Sequence, residues 1–203
     1  MSRSIGLNVS RETMNRLELY ESLLLKWNPR INLVSKKTLM GVWERHFIDS
    51  AQLLQLLEGQ VSHWADLGSG GGFPGLVIAI LATETKNPSK VTLVESDRRK
   101  AVFMKTVLRE TGAEAEVISK RIEDIAPLNA DVLSARALSD LATLLGYASR
   151  HLSPDGTAIF PKGENWQKEM EDAQSKWQFQ HRIVKSKTSE GPVIICARGV
   201  SSV

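Results

Sequence analysis

At 203 residues, with 42% hydrophobic and 24% charged side chains, the chain is long enough for one α/β domain with an appendage. A formal net charge of +3 permits a polyanionic partner without requiring one, and the single cysteine, Cys196, excludes a disulfide framework or a paired-cysteine metal site. No signal pattern opens the chain, and its longest apolar run, Leu76 to Ala82, is too short for a bilayer, so a cytoplasmic protein without a membrane partner is expected.

Residues 1–10 read as a frayed end. Ser10 suits an N-cap, and a helix should run from it to about Asn28, with Leu17, Tyr20, Leu24 and Trp27 on one face. Asn28-Pro29 should end that helix. The next stretch sets Lys26, Arg30, Lys36 and Lys37 among a tryptophan and two asparagines. A second helix, from about Leu39 to Leu57, carries Trp43, Arg45, His46 and Asp49 and is a candidate for a break at Asp49. Residues 1–60 are thus expected as a helical appendage packed on a core of residues 61–203. Its basic run is either a solvated helix face or a grip on a polyanion.

The chain is organised around His63 to Ile80, an apolar run, five glycines in eight positions, then an apolar helix entered at Pro74. Strand, glycine turn and helix present bare backbone N–H groups and a helix N-terminus to a nucleotide-like ligand. No Gly-Lys-Ser/Thr follows, which excludes a phosphate-binding P-loop, and Phe73 stands where the dinucleotide fingerprint needs its third glycine. Instead an acid precedes alternating glycines: Asp66, Gly68, Gly70, Gly72. This spacing resembles motif I of the S-adenosylmethionine-dependent methyltransferases. A carboxylate at the loop mouth would suit the cations of that cofactor, and the helix end its carboxylate.

Asn87-Pro88-Ser89 marks a turn before a buried strand, Val91 to Glu95. Glu95, at that strand's end, is placed to accept hydrogen bonds from ribose hydroxyls. A basic helix follows Asp97 and stops near Gly112, carrying Arg98 and Arg99 in its first turn. Ala115 to Ile118 and Asp131 to Ser134 read as strands, with Ile122-Glu123 between them at the expected adenine edge and Ala135-Arg136-Ala137 at the second strand's end. After a helix from about Ser139 to His151, Ser153-Pro154-Asp155-Gly156 signals a turn, and Thr157 to Phe160 is a strand left through Pro161-Lys162-Gly163. Glu164 to Trp177 is a charged helix, and Phe179 to Lys185 with Val193 to Arg198 make a closing antiparallel pair. The expected fold is an α/β Rossmann-like class I methyltransferase: a seven-stranded, mostly parallel sheet with a closing hairpin.

Asn32-Leu33, Arg45-His46-Phe47-Ile48-Asp49-Ser50, Asp66 to Gly75, Ser134-Ala135-Arg136-Ala137 and Pro161-Lys162-Gly163 fall in matching order along nearly the whole chain. Through these residues the sequence resembles the bacterial ribosomal small-subunit methyltransferase G family, also called glucose-inhibited division protein B. The resemblance implies methylation of N7 of a guanine (position 527) in the decoding-region loop of 16S ribosomal RNA, with S-adenosylmethionine as cofactor. It carries cofactor contacts over to Gly68, Phe73, the backbone around Ile122-Glu123, and Arg136.

Guanine N7 is an unprotonated acceptor on the major-groove edge, so methylating it needs alignment but no general base. The sequence agrees: no Asn/Asp-Pro-Pro-aromatic motif follows the fourth strand, and Cys196 lies in the last strand. Arg136, Lys162 and His46 are therefore expected in positioning roles. Arg136 either pairs with guanine O6 and N7 or holds cofactor and RNA backbone; a cation on N7 would oppose the reaction, which favours positioning. Lys36, Lys37, Arg45, Arg98 and Lys162 are the expected RNA contacts. No metal is called for, and a monomer acting on 16S ribosomal RNA or the small subunit is expected. A methyltransferase of a small molecule or protein, or a binding module that has lost turnover, are the competing readings. The first would not need the scattered basic segments, and the intact glycine loop speaks against the second.

Overall fold

The computed structural model describes residues 4–203. At its centre lie β1 (His63–Leu67), β2 (Lys90–Val94) and β4 (Ala130–Ala135), short strands buried almost throughout. Strands covered on both faces read as apolar runs rather than alternating ones, which is why these segments were legible. With β3 (Glu116–Ile118), β5 (Leu152–Lys162), β6 (Trp177–Lys185) and β7 (Val193–Ser202) they form one sheet in the order β3-β2-β1-β4-β5-β7-β6. The first five strands are parallel, and β7 runs antiparallel to both β5 and β6. The expected sheet and closing hairpin are both present.

Helices cover both faces. On one, α1 (Arg11–Ile31), α4 (Gly75–Thr85) and α5 (Arg98–Thr111) share a core containing Leu17, Tyr20, Leu76, Ile80 and Phe103. On the other, α6 (Leu141–His151) and α7 (Trp166–Gln174) bury Leu141, Leu145, Met170 and Ala173. From Gly75 to Leu81 α4 is apolar all round and buried, because it is wedged between the sheet and α1; only its last turn meets water. Asp97 caps α5 by accepting from the Arg99 N–H at 2.8 Å, and Gly112 ends it in the left-handed region, both where expected.

The N-terminal segment departs from expectation in three ways. Ser10 does cap α1, but Pro29 sits inside its last turn instead of ending it. A proline there forfeits one N–H bond. The turn is held by the Asn32 N–H on the Asn28 carbonyl (3.0 Å) and by the buried Asn28 side chain, which accepts from the Val34 N–H at 2.8 Å. The second helix is interrupted at Met40–Gly41 and not at Asp49, where the winding changes type without stopping. It is a short α2 (Lys36–Leu39), a π-helical turn (Trp43–Ile48), α3 (Asp49–Ala51) and a 3-10 turn (Gln52–Leu56). The π winding lets the adjacent His46 and Phe47 both pack on Phe73, with ring centroids 4.9 and 5.2 Å away. Finally, the expected frayed end is fastened from Ser4 onward. Ile5 is buried, and the Ser4 and Gly6 carbonyls accept from Trp43 Nε1 and Gln55 Nε2; residues 1–3 of that expectation lie outside the described residues.

One turn signal was also placed differently. Ser153-Pro154-Asp155-Gly156 does not precede β5 but bulges from within it. Leu152 pairs with Ala130 and Thr157 with Val132, so five positions on one strand answer two on the other. Among the described residues no helix is long and apolar enough to cross a membrane, and no cluster of three or more His, Cys, Asp or Glu could hold a metal ion.

Candidate active site

β1 and β4 are neighbours at the point where strand order reverses, so the crevice between their carboxyl ends is where an open α/β sheet receives a ligand. The β1–α4 loop winds there on itself: the Gly72 and Phe73 N–H groups both meet the Ser69 carbonyl, at 2.7 and 3.1 Å. A cavity of about 580 Å³ opens above it, walled by Gly68, Gly70, Phe73, Glu95, Ile122 and Arg136 among others.

Two motif residues do not do what the spacing suggested. Asp66 is fully buried beneath the loop, not at its mouth. Its carboxylate accepts from Ser134 Oγ at 2.7 Å and from the Gly75 N–H at 3.2 Å, and Trp64 Nε1 donates in turn to Ser134 Oγ. Asp66 and Ser134 are register partners on β1 and β4, so the acid ties strand to strand and occupies the α4 N-terminus that the cofactor carboxylate was expected to face. Burial pushes its carboxyl up to about 6, against the hydrogen bonds from Ser134, Ser69 and Gly75 that favour the charged form. Gly72 is likewise a packing glycine. Its φ is +98°, and an added Cβ would lie 2.3 Å from Leu76 Cδ1 and 2.7 Å from Tyr20 Oη. The Tyr20 hydroxyl donates to the Gly71 carbonyl at 2.6 Å, so the loop is anchored on α1 as well as on the sheet.

The other expected cofactor residues do line the cavity. Glu95 follows β2 and is folded onto the loop, its two carboxylate oxygens accepting from the Gly70 N–H at 2.8 Å and the Asp97 N–H at 2.7 Å. A carboxylate held by backbone on the cavity wall is suited to accept from vicinal hydroxyls. Ile122 and Glu123 form the opposite edge, where Tyr147 Oη donates to Glu123 at 2.5 Å, holding that carboxyl below its usual range. Tyr147, on α6, escaped the sequence reading because nothing in local spacing brings it to Glu123, 24 residues away. The donors, the acid and the apolar floor of this cavity fit a nucleoside carrying an amino-acid tail.

Arg136 is the hub of the site. Its Nη2 donates to His46 Nδ1 at 2.6 Å, its Nη1 to the Arg45 carbonyl at 3.0 Å and to Asp49 Oδ2 at 3.4 Å, and its Cζ lies 5.2 Å from the Phe73 ring centroid. Because Nδ1 accepts, the His46 proton is assigned to Nε2. Burial first, then Arg136 and Arg45, lower the His46 pKa from 6.5 to about 3, so the ring is neutral. Ala137, next in the chain, has φ +53°, uncommon for a residue with a Cβ, and turns the backbone between two cavities.

The second cavity, about 1250 Å³, meets the first at Thr38, His46, Arg136, Ala137 and Leu138. Arg45 lines it with an exposed side chain. Lys162 also borders it but is not free to meet phosphate. Its side chain is 8% exposed, with Nζ 2.5 Å from Glu169 Oε2 and donating to the Ser139 carbonyl at 3.0 Å. Lys162 therefore locks the β5 exit to α6 and α7. Lys36 and Lys37 are exposed on α2, between Ser35 and Thr38 of the first cavity's rim. Arg98 is exposed at the start of α5 and borders neither cavity. Lys100, Lys120 and Arg121 border the first cavity and were not singled out from sequence.

Residues 13–193 match the family described as rRNA small subunit methyltransferase G. The chain belongs to that family. A relative named ribosomal RNA small subunit methyltransferase G from Ruegeria pomeroyi is 52% identical over 198 residues, covering 97% of this chain and 96% of the relative. Another of that name from Rhodospirillum centenum is 49% identical, covering 94% and 86%. Among solved structures, a SAM-dependent methyltransferase from Aquifex aeolicus superposes with a TM-score of 0.58 at 16% identity, covering 87% of this chain and 97% of that one. A mutant of MtNAS in complex with S-adenosylmethionine gives 0.59 at 14% identity, covering 92% and 76%. At such identities the structures speak for the fold, a Rossmann-like methyltransferase. Membership of the family makes this chain an S-adenosylmethionine-dependent methyltransferase.

Proposed function

We propose that this enzyme transfers a methyl group from S-adenosylmethionine to N7 of a guanine, position 527, in the decoding-region loop of 16S ribosomal RNA. One copy acts in the cytoplasm, on the RNA or on the small subunit. The junction of the two cavities carries the reading. Among the described residues, its side chains are those of Thr38, His46, Arg136, Ala137 and Leu138. None is free to take a proton, because the one basic ring nitrogen there, His46 Nδ1, already accepts from Arg136. A reaction that must strip a proton from an amine or a hydroxyl is poorly served by such a junction, whereas N7 has none to lose.

When bound, S-adenosylmethionine supplies the electrophilic methyl group. The chain contributes shape and orientation: Glu95 for hydroxyls, the Gly68–Phe73 backbone and the Ile122–Glu123 edge for the nucleoside, and Arg136, braced by His46, at the junction. Lys36, Lys37 and Arg45 supply positive charge along the route by which a phosphate chain reaches that junction. Residues 1–60 are read as an appendage that completes the site, since His46, Thr38 and Arg45 all come from it.

The test is chemical. N7-methylguanosine is cationic, and borohydride followed by aniline cleaves RNA at it. Small-subunit RNA from a strain lacking this protein should lose one such cleavage, and purified protein with cofactor should restore it. An unchanged pattern, with label transferred instead to a protein or a metabolite, would overturn the substrate and leave the methyltransferase standing.

A further inference from the structure

Asp49 is joined to more of the site than its place in the chain suggests. Its side chain is 18% exposed, on the wall of the second cavity. Oδ1 accepts from Gln52 Nε2 at 2.8 Å, from Thr188 Oγ1 at 2.9 Å and from Ser186 Oγ at 3.4 Å; Oδ2 faces Arg136 Nη1 at 3.4 Å. Gln52 extends the connection, its Oε1 accepting from the Lys187 N–H at 2.9 Å, while Lys187 Nζ reaches Gln55 Oε1. One carboxylate therefore links three separate pieces of chain: the N-terminal helical segment, the end of β4, and the β6–β7 loop. That loop supplies Ser186, Thr188, Ser189, Glu190 and Pro192 to the second cavity.

Two physical consequences follow. The Arg136 side chain is only 17% exposed; His46 and Tyr20 beside it are neutral, the buried Asp66 acts on it more weakly, and Asp49 is the carboxylate paired with it. Without that charge a nearly buried guanidinium loses its paired carboxylate and is drawn out toward water, away from Phe73. The loop has a similar dependence. Beyond the strand ends, its bonds to Asp49, Gln52 and Gln55 fasten it across the cleft from the cofactor cavity.

We infer that Asp49 is a positioning residue for methyl transfer. It fixes Arg136 at the junction and holds the β6–β7 loop as the far wall, so that a base in the second cavity sits at one distance from the first. The inference rests on reading the second cavity as the substrate side.

Three variants separate the two arms. Asp49→Asn keeps an acceptor for the loop but removes the charge facing Arg136. Thr188→Val combined with Gln52→Ala loosens the loop, leaving it only Ser186 on Asp49 and Lys187 on Gln55, and keeps the Asp49–Arg136 pair. Asp49→Ala removes both. Transfer to small-subunit RNA should then show kcat lowered roughly 10- to 100-fold in Asp49→Asn with KM for RNA held, because misalignment acts on the reacting pair. The double variant should instead raise KM and keep most of kcat. Hydrogen exchange of residues 186–192, which needs no activity, should accelerate in Asp49→Ala and the double variant but not in Asp49→Asn. S-adenosylmethionine affinity should be unchanged in the double variant, which leaves Arg136 and the rest of the cofactor cavity's lining in place. If the variants lose cofactor affinity and melting temperature together while the folded fraction keeps wild-type kcat, or if loop exchange stays at its wild-type rate throughout, Asp49 is structural and the inference is wrong. A wild-type enzyme that does not methylate this RNA at all would count against the substrate, and the exchange arm would still decide the role of Asp49 in holding the loop.

Discussion

The Arg136 guanidinium donates to His46 Nδ1 at 2.6 Å, and both groups pack on Phe73, the imidazole stacked 4.9 Å from its centroid and Cζ 5.2 Å away. Cation, neutral imidazole and phenyl ring form one wall of the first cavity, joined by the Arg136–His46 hydrogen bond. Within it His46 Nδ1, the ring nitrogen without a proton, is already taken by Arg136.

The neutral His46 has a pH signature. Its pKa lies near 3 when folded and at about 6.5 when unfolded, so between those values the unfolded chain binds the extra proton. Its contribution to stability is complete above about pH 6.5 and lost as pH falls through that window. Asp66 works in the opposite sense: raised from 3.8 to about 6, it keeps its proton longer in the folded protein and favours folding as pH falls between those values. Urea midpoints for His46→Phe, taken from about pH 4 to pH 7, should therefore fall less on acidification than those of the wild type. An identical pH slope would mean that His46 carries a proton in the folded protein.

Asp66 lies under the loop, so its effect on ligand is mechanical. Asp66→Asn turns an N–H toward a donor and leaves Ser134 Oγ or the Gly75 N–H poorly paired, at a cost of about 1–3 kcal/mol of stability. S-adenosylmethionine and S-adenosylhomocysteine should weaken by the same factor in calorimetry, since the carboxylate does not border their cavity. A larger loss for the sulfonium compound alone would return the acid to a direct electrostatic role.

Lys162 should behave as a tie between β5 and its flanking helices. Lys162→Met breaks its bonds to Glu169 and the Ser139 carbonyl and should lower stability by about 1.5–3 kcal/mol. The salt dependence of RNA binding should stay as it is. A shallower salt slope in this variant would show that Nζ leaves Glu169 for a phosphate.

Lys36 and Lys37 are the converse case. Exposed on α2 beside the first cavity's rim, they should reduce the slope of log affinity against log salt by about 0.7–0.9 for each phosphate contact removed in Lys36→Ala and Lys37→Ala. Cofactor affinity should not change. An unaltered slope in the double variant would take RNA off this face of the protein.

The alternation of Asp66, Gly68, Gly70 and Gly72 between an apolar strand and an apolar helix was enough to announce the fold, and Ser10, Asp97 and Gly112 marked helix ends correctly. Those signals are local: a turn conformation, a cap or a doubly covered strand is set by neighbouring residues. Pro29 misled because bonds around Asn28 hold the last turn past it, and the 153–156 turn because pairing with β4 resumes beyond it.

By itself the sequence determined which segments become strands and most of the helices, that a glycine loop joins an apolar strand to an apolar helix, and which residues stand at strand ends. Only the tertiary structure decided what those residues touch. Asp66 meets Ser134, 68 positions on, and is taken under the loop; Lys162 finds Glu169 and leaves solvent; Arg136 reaches His46 90 positions back, and Asp49 reaches Thr188 139 positions ahead. A charge or an imidazole keeps one identity in the sequence, yet its role depends on whether the fold gives it water or a partner. That is settled by the order of seven strands in the sheet, which no short stretch of the chain encodes.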